Sequence, residues 1–459
     1  MEVKYQTTVI TVESKITNLS KNDETILTDY CKLYSTIERN LFNDLTNHPE
    51  LRKQFNDLQK HYSKKYNIQV RIFKSIWINI LARIDSIKSN NKNYKDNRKN
   101  RIKKLQGKLT RCKDDSYKYH IKNKINRLKQ LNDNPVNISS VWGSRKYYHK
   151  QWNHDNHTEW LKQWRVRRDN NLLLIGSSDE RFGNGLCQLE SLNSLRLTLP
   201  YGFNDKHLYL EVDFDKNKKL YSYLRGAIVN SKALTIRVFQ SSKNNQWYVQ
   251  ISFKLTNSCR DYDNGTIGID INYNLICSCL VDKFGTQRGF TNYSFEVDDN
   301  NKDRNKQVLS DIANSIVSQA LQDNKTITIE KIDLKKIAKT KKVSLVCYRL
   351  FISLLRSRCV KEGVLLLEVD PRYTSVIGGL KYSKRLGISR HSSAAYTVGR
   401  RGLNYIERIP VGYTCLLHRG EKNKSLLSRW YFLNKRLQTV SPEEKSRYIA
   451  SIYVRSNDM

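Results

Sequence analysis

Residues 266–282, with the sequence TIGIDINYNLICSCLVD, are apolar along most of their length and include a carboxylate, Asp270. Apolar runs rich in β-branched residues are typical of a buried strand, so the stretch predicts one strand. A carboxylate within such a strand is costly unless it is paired, hydrogen-bonded or bound to a metal. Asp270 is therefore the first candidate for a functional residue.

A second buried strand, TITIE, ends at another carboxylate, Glu330. The other elements predicted after residue 263 are strands at 290–297 and 364–370, and helices at 303–322, 342–363 and 388–403. This order predicts a mixed α/β sheet domain. Two acids on adjacent strands are suited to hold a pair of Mg²⁺ ions, which clamp the attacking and leaving oxygens in phosphodiester hydrolysis. For either acid alone, a solvent-facing strand end is the simpler interpretation.

The upstream regions differ in their periodicity. Residues 1–21 alternate like a strand, residues 22–168 have apolar positions at helical spacing, and residues 169–262 again alternate with period two. We expect the first strand to join an antiparallel barrel or sandwich in residues 169–262, with the helical block as an insertion.

The net charge of +37 on 459 residues indicates a polyanionic partner, and nucleic acid is the obvious one. A merely basic cytoplasmic protein, or one at an acidic membrane surface, is the alternative. The charge is densest in residues 91–130, which hold fifteen Lys or Arg against three Asp and include Lys103 and Lys104. Such density favours a surface that follows phosphates over a solvated helix face.

Aromatic and basic residues interleave in residues 141–168, where Trp160 and Arg165 are candidates for contact with nucleic acid. Base stacking requires this mixture, but packing of the same aromatics between helices is equally compatible with it.

The N-terminus has no signal-peptide layout and the chain has no transmembrane run, so we predict a cytoplasmic, nucleoid-associated bacterial protein whose nine cysteines are reduced. No Cys-x-x-Cys pair occurs, which predicts no zinc site.

Three motifs in order, GIDIN (268–272), TIEKIDL (328–334) and VDPRYTS (369–375), resemble the C-terminal half of TnpB. TnpB is the transposon-encoded, RNA-guided DNA endonuclease related to type V CRISPR effectors. The motif resemblance covers roughly the last 200 residues; the N-terminal half is similar only in layout.

The resemblance implies a multidomain α+β protein in which a helical recognition lobe is inserted in a wedge β-barrel and an RNase H-like (RuvC) domain follows. The expected boundaries are a wedge strand at 1–21, a recognition domain at 22–168, a wedge barrel at 169–262 and a RuvC domain at 263–459. The implied partners are a guide RNA and target double-stranded DNA, with Mg²⁺ or Mn²⁺ as cofactor. Monomer and homodimer both remain open.

The resemblance makes Asp270 and Glu330 the first and second RuvC acids, whereas His391 stands where the family has its third acid. Histidine is a poor Mg²⁺ ligand compared with a carboxylate, but it is a good general base and can activate a water. We predict an active site of Asp270, Glu330 and His391, all three at the metal. The alternative is a nuclease-inactive, RNA-guided DNA-binding repressor. A third class, an RNA-binding or structural ribonucleoprotein without DNA targeting, gives the two acids no reason to meet.

The family's zinc ribbon is also missing, because only the short basic segment 376–390 separates the last two motifs. We expect this region and the end of the following helix to contact nucleic acid. The candidate residues are Tyr373, Lys381, Arg385, Arg400 and Arg401. For the last two, a helix C-terminal charge that complements the dipole is the alternative.

Overall fold

The computed structural model describes residues 4–134, 138–153, 156–191, 193–214, 218–242, 244–272, 274–298, 301–331 and 342–439. The chain divides into two compact units, Val9–Leu255 in one and Met1–Thr8 with Thr256–Met459 in the other. The four-part division expected from the sequence stays a prediction.

The unit Val9–Leu255 contains most of the helical residues of the block predicted from the sequence. Its helices are α1 (Lys21–Asn47), α2 (Phe55–Tyr66), α3 (Val70–Leu109), α4 (Asp115–Asp133), α5 (Arg145–Tyr148), α6 (His157–Asp169) and α7 (Lys218–Val229). Helix α1 begins where the Ser20 side chain accepts the Asp23 N–H, and its buried stripe of Leu27, Tyr34 and Leu41 joins the core. The segment that forms α7 was not recognised as a helix in the sequence.

An antiparallel seven-stranded sheet has the order β2-β6-β7-β1-β5-β4-β3. The strands are β1 (Lys4–Thr17), β2 (Asn171–Ile175), β3 (Cys187–Ser191), β4 (Ser194–Thr198), β5 (His207–Val212), β6 (Thr235–Gln240) and β7 (Trp247–Cys259). The expectation that the N-terminal strand joins this sheet is confirmed, since β1 lies between β7 and β5. Within the described residues the sheet is open, with β2 and β3 at its edges, so it forms a curled half-barrel.

The other unit contains a five-stranded sheet of order β10-β9-β8-β11-β12. Its strands are β8 (Thr266–Ile271), β9 (Leu275–Val281), β10 (Gln287–Ser294), β11 (Thr326–Glu330) and β12 (Leu366–Val369). Strands β8, β9 and β10 are antiparallel, whereas β11 is parallel to both β8 and β12. The prediction of a single strand over residues 266–282 was wrong, because the chain turns after β8, where the Asn272 N–H donates to the Leu275 carbonyl. Asp270 therefore lies near the end of a strand.

The helices of this unit are α8 (Lys302–Gln322), α9 (Lys342–Glu362), α10 (Thr374–Gly378), α11 (Lys384–Leu386), α12 (Arg390–Gly402), α13 (Arg419–Lys422) and α14 (Leu426–Leu437). A π-helical turn, Gly379–Ser383, separates α10 from α11. No described helix is long and apolar enough to cross a membrane.

Helix α12 packs unusually close to β8 because glycines face each other at the contact. A Cβ at Gly268 would lie 2.2 Å from the Ala395 carbonyl oxygen and 2.4 Å from the Gly399 nitrogen. A larger residue at 268 would push the helix off the sheet. This contact fixes the position of the α12 N-terminus, which carries His391, relative to the end of β8.

Candidate active site

Asp270 and Glu330 are brought side by side by the register of two parallel strands. Ile269 of β8 pairs with Ile329 of β11, and each acid is the next residue along its strand. Asp270 is only 6% exposed, and Glu330 is partly buried. The predicted pair of strand-borne acids is thus present at the carboxyl ends of adjacent strands.

The Asp270 carboxylate is held by two neighbours. Its Oδ2 accepts a hydrogen bond from Asn272 Nδ2 at 2.7 Å and lies 3.3 Å from His391 Nδ1. His391 lies in the first turn of α12, after the N-cap Ser389, and its side chain is 46% exposed. The structure therefore brings the third predicted residue against the first acid and leaves it accessible to water.

Glu330 has a different set of neighbours. Its Oε1 accepts a hydrogen bond from the Thr374 hydroxyl, and the positive charge of Arg401 also acts on it. Neither Thr374 nor Asn272 was singled out in the sequence. Both lie inside the motifs that carry the resemblance, but short polar residues in a motif do not reveal which acid they contact.

Burial controls the protonation of both acids. Burial is the main reason that the pKa of Glu330 is raised to about 7; the charge of Asp270 adds to the shift, and the Thr374 hydrogen bond and Arg401 oppose it. Burial also raises the pKa of Asp270, against the opposing effects of Asn272 and His391. The local compensation is incomplete, so the pair is suited to a cation that would neutralise it.

Within the ranges the structure describes, no group of three or more His, Cys, Asp or Glu side chains is arranged to hold a metal ion. The three-residue metal site of Asp270, Glu330 and His391 stays a prediction. The carboxylates of Asp270 and Glu330 do fit a divalent cation such as Mg²⁺ or Mn²⁺, whose preferred ligands are carboxylate and water oxygens.

The shifted pKa of Glu330 predicts a pH-dependent stability in metal-free buffer. The ordinary pKa of a glutamate is 4.5, and in the folded chain the pKa of Glu330 is about 7. Between these two pH values Glu330 is ionised in the unfolded chain but protonated in the folded chain, so stability falls as the pH rises. We expect Glu330→Gln to remove this fall and to raise the unfolding free energy at pH 8 by up to about 3 kcal/mol. Urea unfolding at pH 5 and pH 8 with a chelator measures it; an unchanged pH dependence in the variant contradicts the buried, partly compensated state of Glu330.

Four of the predicted nucleic-acid contacts are exposed basic side chains. Lys103 and Lys104 lie on α3, Arg165 on α6 and Arg385 on α11, and all four are exposed to solvent. They are free to approach a phosphate, and their role stays a prediction.

Trp160 is not placed to stack on a base. It is 2% exposed, its Nε1 donates to the Tyr147 carbonyl at 3.1 Å, and its ring stacks on Trp164 with centroids 5.6 Å apart. The structure therefore favours packing between helices, the alternative left open by the sequence. Trp152, in the same aromatic stretch, is 81% exposed instead.

Lys381 and Arg400 are engaged by a buried acid that the sequence did not indicate. Glu407 is 4% exposed and pairs with Lys381 and with Arg400, whose Nε lies 2.6 Å from its Oε1. Arg400 also donates to the Gly285 carbonyl at 2.6 Å. A phosphate contact by either residue would break a buried ion pair, so the structure favours a structural role for both, and their contact with nucleic acid stays a prediction.

Tyr373 and Arg401 lie beside the acid pair. Tyr373 is half-buried and has a left-handed backbone, with φ of +64°. Arg401 donates to the carbonyl oxygens of Asp370 and Arg372, so its guanidinium supports a turn instead of pointing to solvent alone.

No protein-family model matches this chain, and no curated protein matches it. Among solved structures, the chain is similar to the Cas12i1 R-loop complex before target DNA cleavage, with 11% identity over 86% of this chain and a TM-score of 0.17. The same complex after target DNA cleavage has 10% identity over 87% of this chain and a TM-score of 0.17. The chain spans about half the length of these proteins, 54% and 55%. Similarity at this level carries no argument about fold or function.

Proposed function

We propose that this protein is an RNA-guided DNA endonuclease that hydrolyses phosphodiesters in a metal-dependent, RuvC-type site. The observation that carries the proposal is a pair of carboxylates, the buried Asp270 and the partly buried Glu330, at the ends of adjacent parallel strands in a chain of net charge +37. Such a pair is costly to bury without a cation, and the overall charge favours a polyanionic substrate.

The sheet supports the finer assignment. The strand order β10-β9-β8-β11-β12, in which β11 and β12 run parallel to β8, is the order expected of an RNase H-like domain. Helix α12 packs against β8 and carries His391 next to Asp270. The three motifs that resemble TnpB supply the elements that meet here, β8, β11 and the turn after β12.

The proposed chemistry divides among three side chains. Asp270 and Glu330 would hold one or two Mg²⁺ or Mn²⁺ ions, which stabilise the charge that develops on the phosphate oxygens. The Asp270 carboxylate orients the imidazole of His391 through the 3.3 Å contact with Nδ1. His391, half-exposed, takes the proton of an attacking water as general base.

The basic hairpin, residues 91–130 of α3 and α4, is the element proposed to follow a nucleic-acid backbone. Arg98 ties its two helices by donating to the Leu131 carbonyl at 2.6 Å, and Ile121 and Ile125 are its buried apolar residues. Most of its fifteen basic side chains are exposed. A guide RNA or its duplex with DNA would be held here by backbone contacts, while base pairing selects the target.

Removing Lys103 and Lys104 together is expected to weaken RNA binding and its salt dependence. If each contacts a phosphate, the slope of log affinity against log salt falls by about one to two units. The matched control is Lys118→Ala in the same hairpin, because Lys118 is half-buried and paired with Asp115 at 2.6 Å. Fluorescence anisotropy at several salt concentrations measures both; equal slopes in all variants contradict the role of the hairpin.

The second candidate, a nuclease-inactive RNA-guided repressor, is favoured by one observation. His391 stands where the family that the motifs resemble has its third acid. Such a protein would keep guide and target binding but would lack hydrolysis.

One experiment separates the two candidates. RNA that copurifies with the full chain is sequenced, and DNA matching its guide segment is incubated with the complex in Mg²⁺ or Mn²⁺. Cuts or nicks in the matched DNA alone support the endonuclease; matched binding without hydrolysis supports the repressor. Absence of copurifying RNA contradicts both.

A further inference from the structure

Thr374 is a buried side chain that contacts the active-site pair without being exposed to a substrate. It is 2% exposed, and its hydroxyl donates to Glu330 Oε1. Thr374 Oγ1 also lies 3.1 Å from the Pro371 carbonyl oxygen, so the single hydroxyl proton of Thr374 has two acceptors within reach. The carboxylate is the stronger acceptor, because charge-assisted hydrogen bonds are about twice as strong as neutral ones.

The turn that presents Thr374, residues 370–374, is held in an unfavourable conformation. Tyr373 has a φ of +64°, a left-handed conformation that is unfavourable for a non-glycine residue. Such strain persists only where the surroundings over-determine it. The strain therefore calls for contacts that hold the turn from outside.

Arg401 of α12 supplies those contacts. Its Nη1 donates to the Asp370 carbonyl and lies 3.1 Å from the Arg372 carbonyl oxygen. Inside the turn, the Asp370 carboxylate accepts the Arg372 N–H at 2.9 Å. The guanidinium thus joins the helix that begins near His391 to the turn that ends at Thr374.

We infer that Thr374 is a positioning residue that fixes the Glu330 carboxylate for cation binding, and that Arg401 holds the turn that carries it. The inference rests on the proposed function, because the cation is that of the nuclease site. It replaces the predicted contact of Arg401 with nucleic acid. Side chains that orient a metal ligand typically change metal affinity or activity 10- to 100-fold when they are removed.

The test is a Mn²⁺ titration of the full chain, in which the free ion is measured by electron paramagnetic resonance. Thr374→Val keeps the shape of the side chain but removes its donor, and we expect it to raise the Mn²⁺ dissociation constant about 10- to 100-fold. Thr374→Ser keeps the donor and is expected to restore near wild-type binding. Glu330→Ala sets the size of a complete loss. Wild-type affinity in the valine variant, equal losses in valine and serine variants, or no Mn²⁺ binding by the wild type would each overturn the inference.

Arg401→Gln tests the turn independently of any folding defect at position 374. We expect this variant to bind Mn²⁺ more weakly. In the double variant with Thr374→Val, the fold-loss of Mn²⁺ affinity is expected to be smaller than the product of the two single fold-losses, because both changes act through one turn. Independent, multiplicative losses overturn the link between Arg401 and Thr374. DNA cleavage is measured in parallel. If the wild type binds Mn²⁺ but cuts no DNA, and Thr374→Val weakens Mn²⁺ binding, the proposed function is contradicted and the positioning role of Thr374 is still supported.

Discussion

Asp270→Asn and Glu330→Gln are each expected to lower cleavage of guide-matched DNA by about 10³-fold or more, while RNA binding is retained. Both changes keep the shape of the side chain and remove the charge that would hold the metal. The same changes relieve the burial of an ionised group, since burial raises the pKa of both acids. A gain in stability together with a loss of activity is the signature of a site maintained for function.

Glu38→Gln is the matched control for Glu330→Gln. Burial raises the pKa of Glu38 to about 7 as well, with Arg83 and Asn79 opposing the shift, but Glu38 lies on α1 in the unit Val9–Leu255. We therefore expect the control to cut DNA at the wild-type rate. Cleavage that survives both Asp270→Asn and Glu330→Gln contradicts the active-site assignment, and equal loss in Glu38→Gln indicates a general folding defect.

The acid pair was predictable because a carboxylate in an apolar strand contrasts with its neighbours. Asp270 and Glu330 stand out in runs of Ile and Thr, and the alternation of strands and helices placed their strands in one sheet. The turn between β8 and β9 was missed for the opposite reason. Residues 272–274, Asn-Tyr-Asn, lack the glycine or proline that marks most turns, and both flanks are equally apolar.

The charged residues show the limit of sequence patterns more clearly. Lys381, Arg385 and Arg400 looked alike in the sequence, yet two of them pair with the buried Glu407 and the third is exposed. Tertiary packing decides which basic residues pair with a given acid. The partners of Glu407 are 7 and 26 positions away from it in the sequence. Local periodicity does not indicate such pairing, so it could not separate exposed basic residues from those in buried ion pairs.

His391→Ala is expected to lower the cleavage rate about 10²- to 10⁴-fold, the range by which a general base accelerates proton transfer. The side chain is 46% exposed and lies 3.3 Å from Asp270, so the cavity left by alanine should admit a small base from solvent. Added imidazole should restore part of the activity. The rate with and without imidazole, in Mg²⁺ and in Mn²⁺, measures the effect, and His120→Ala, an exposed histidine on α4, is the control.

The rescue distinguishes a base from a group that only orients Asp270, because free imidazole in solution cannot reproduce a fixed orientation. Wild-type cleavage by His391→Ala would contradict the general-base role, and neither Asp370 nor Glu368 is suited to replace it. Asp370 pairs with Arg372, whose hydrogen bonds lower the pKa of Asp370 to about 2, and Glu368 pairs with Arg356. A carboxylate already neutralised by arginine is a weak base and a poor metal ligand. We therefore expect the imidazole of His391 to decide between the proposed endonuclease and the nuclease-inactive alternative.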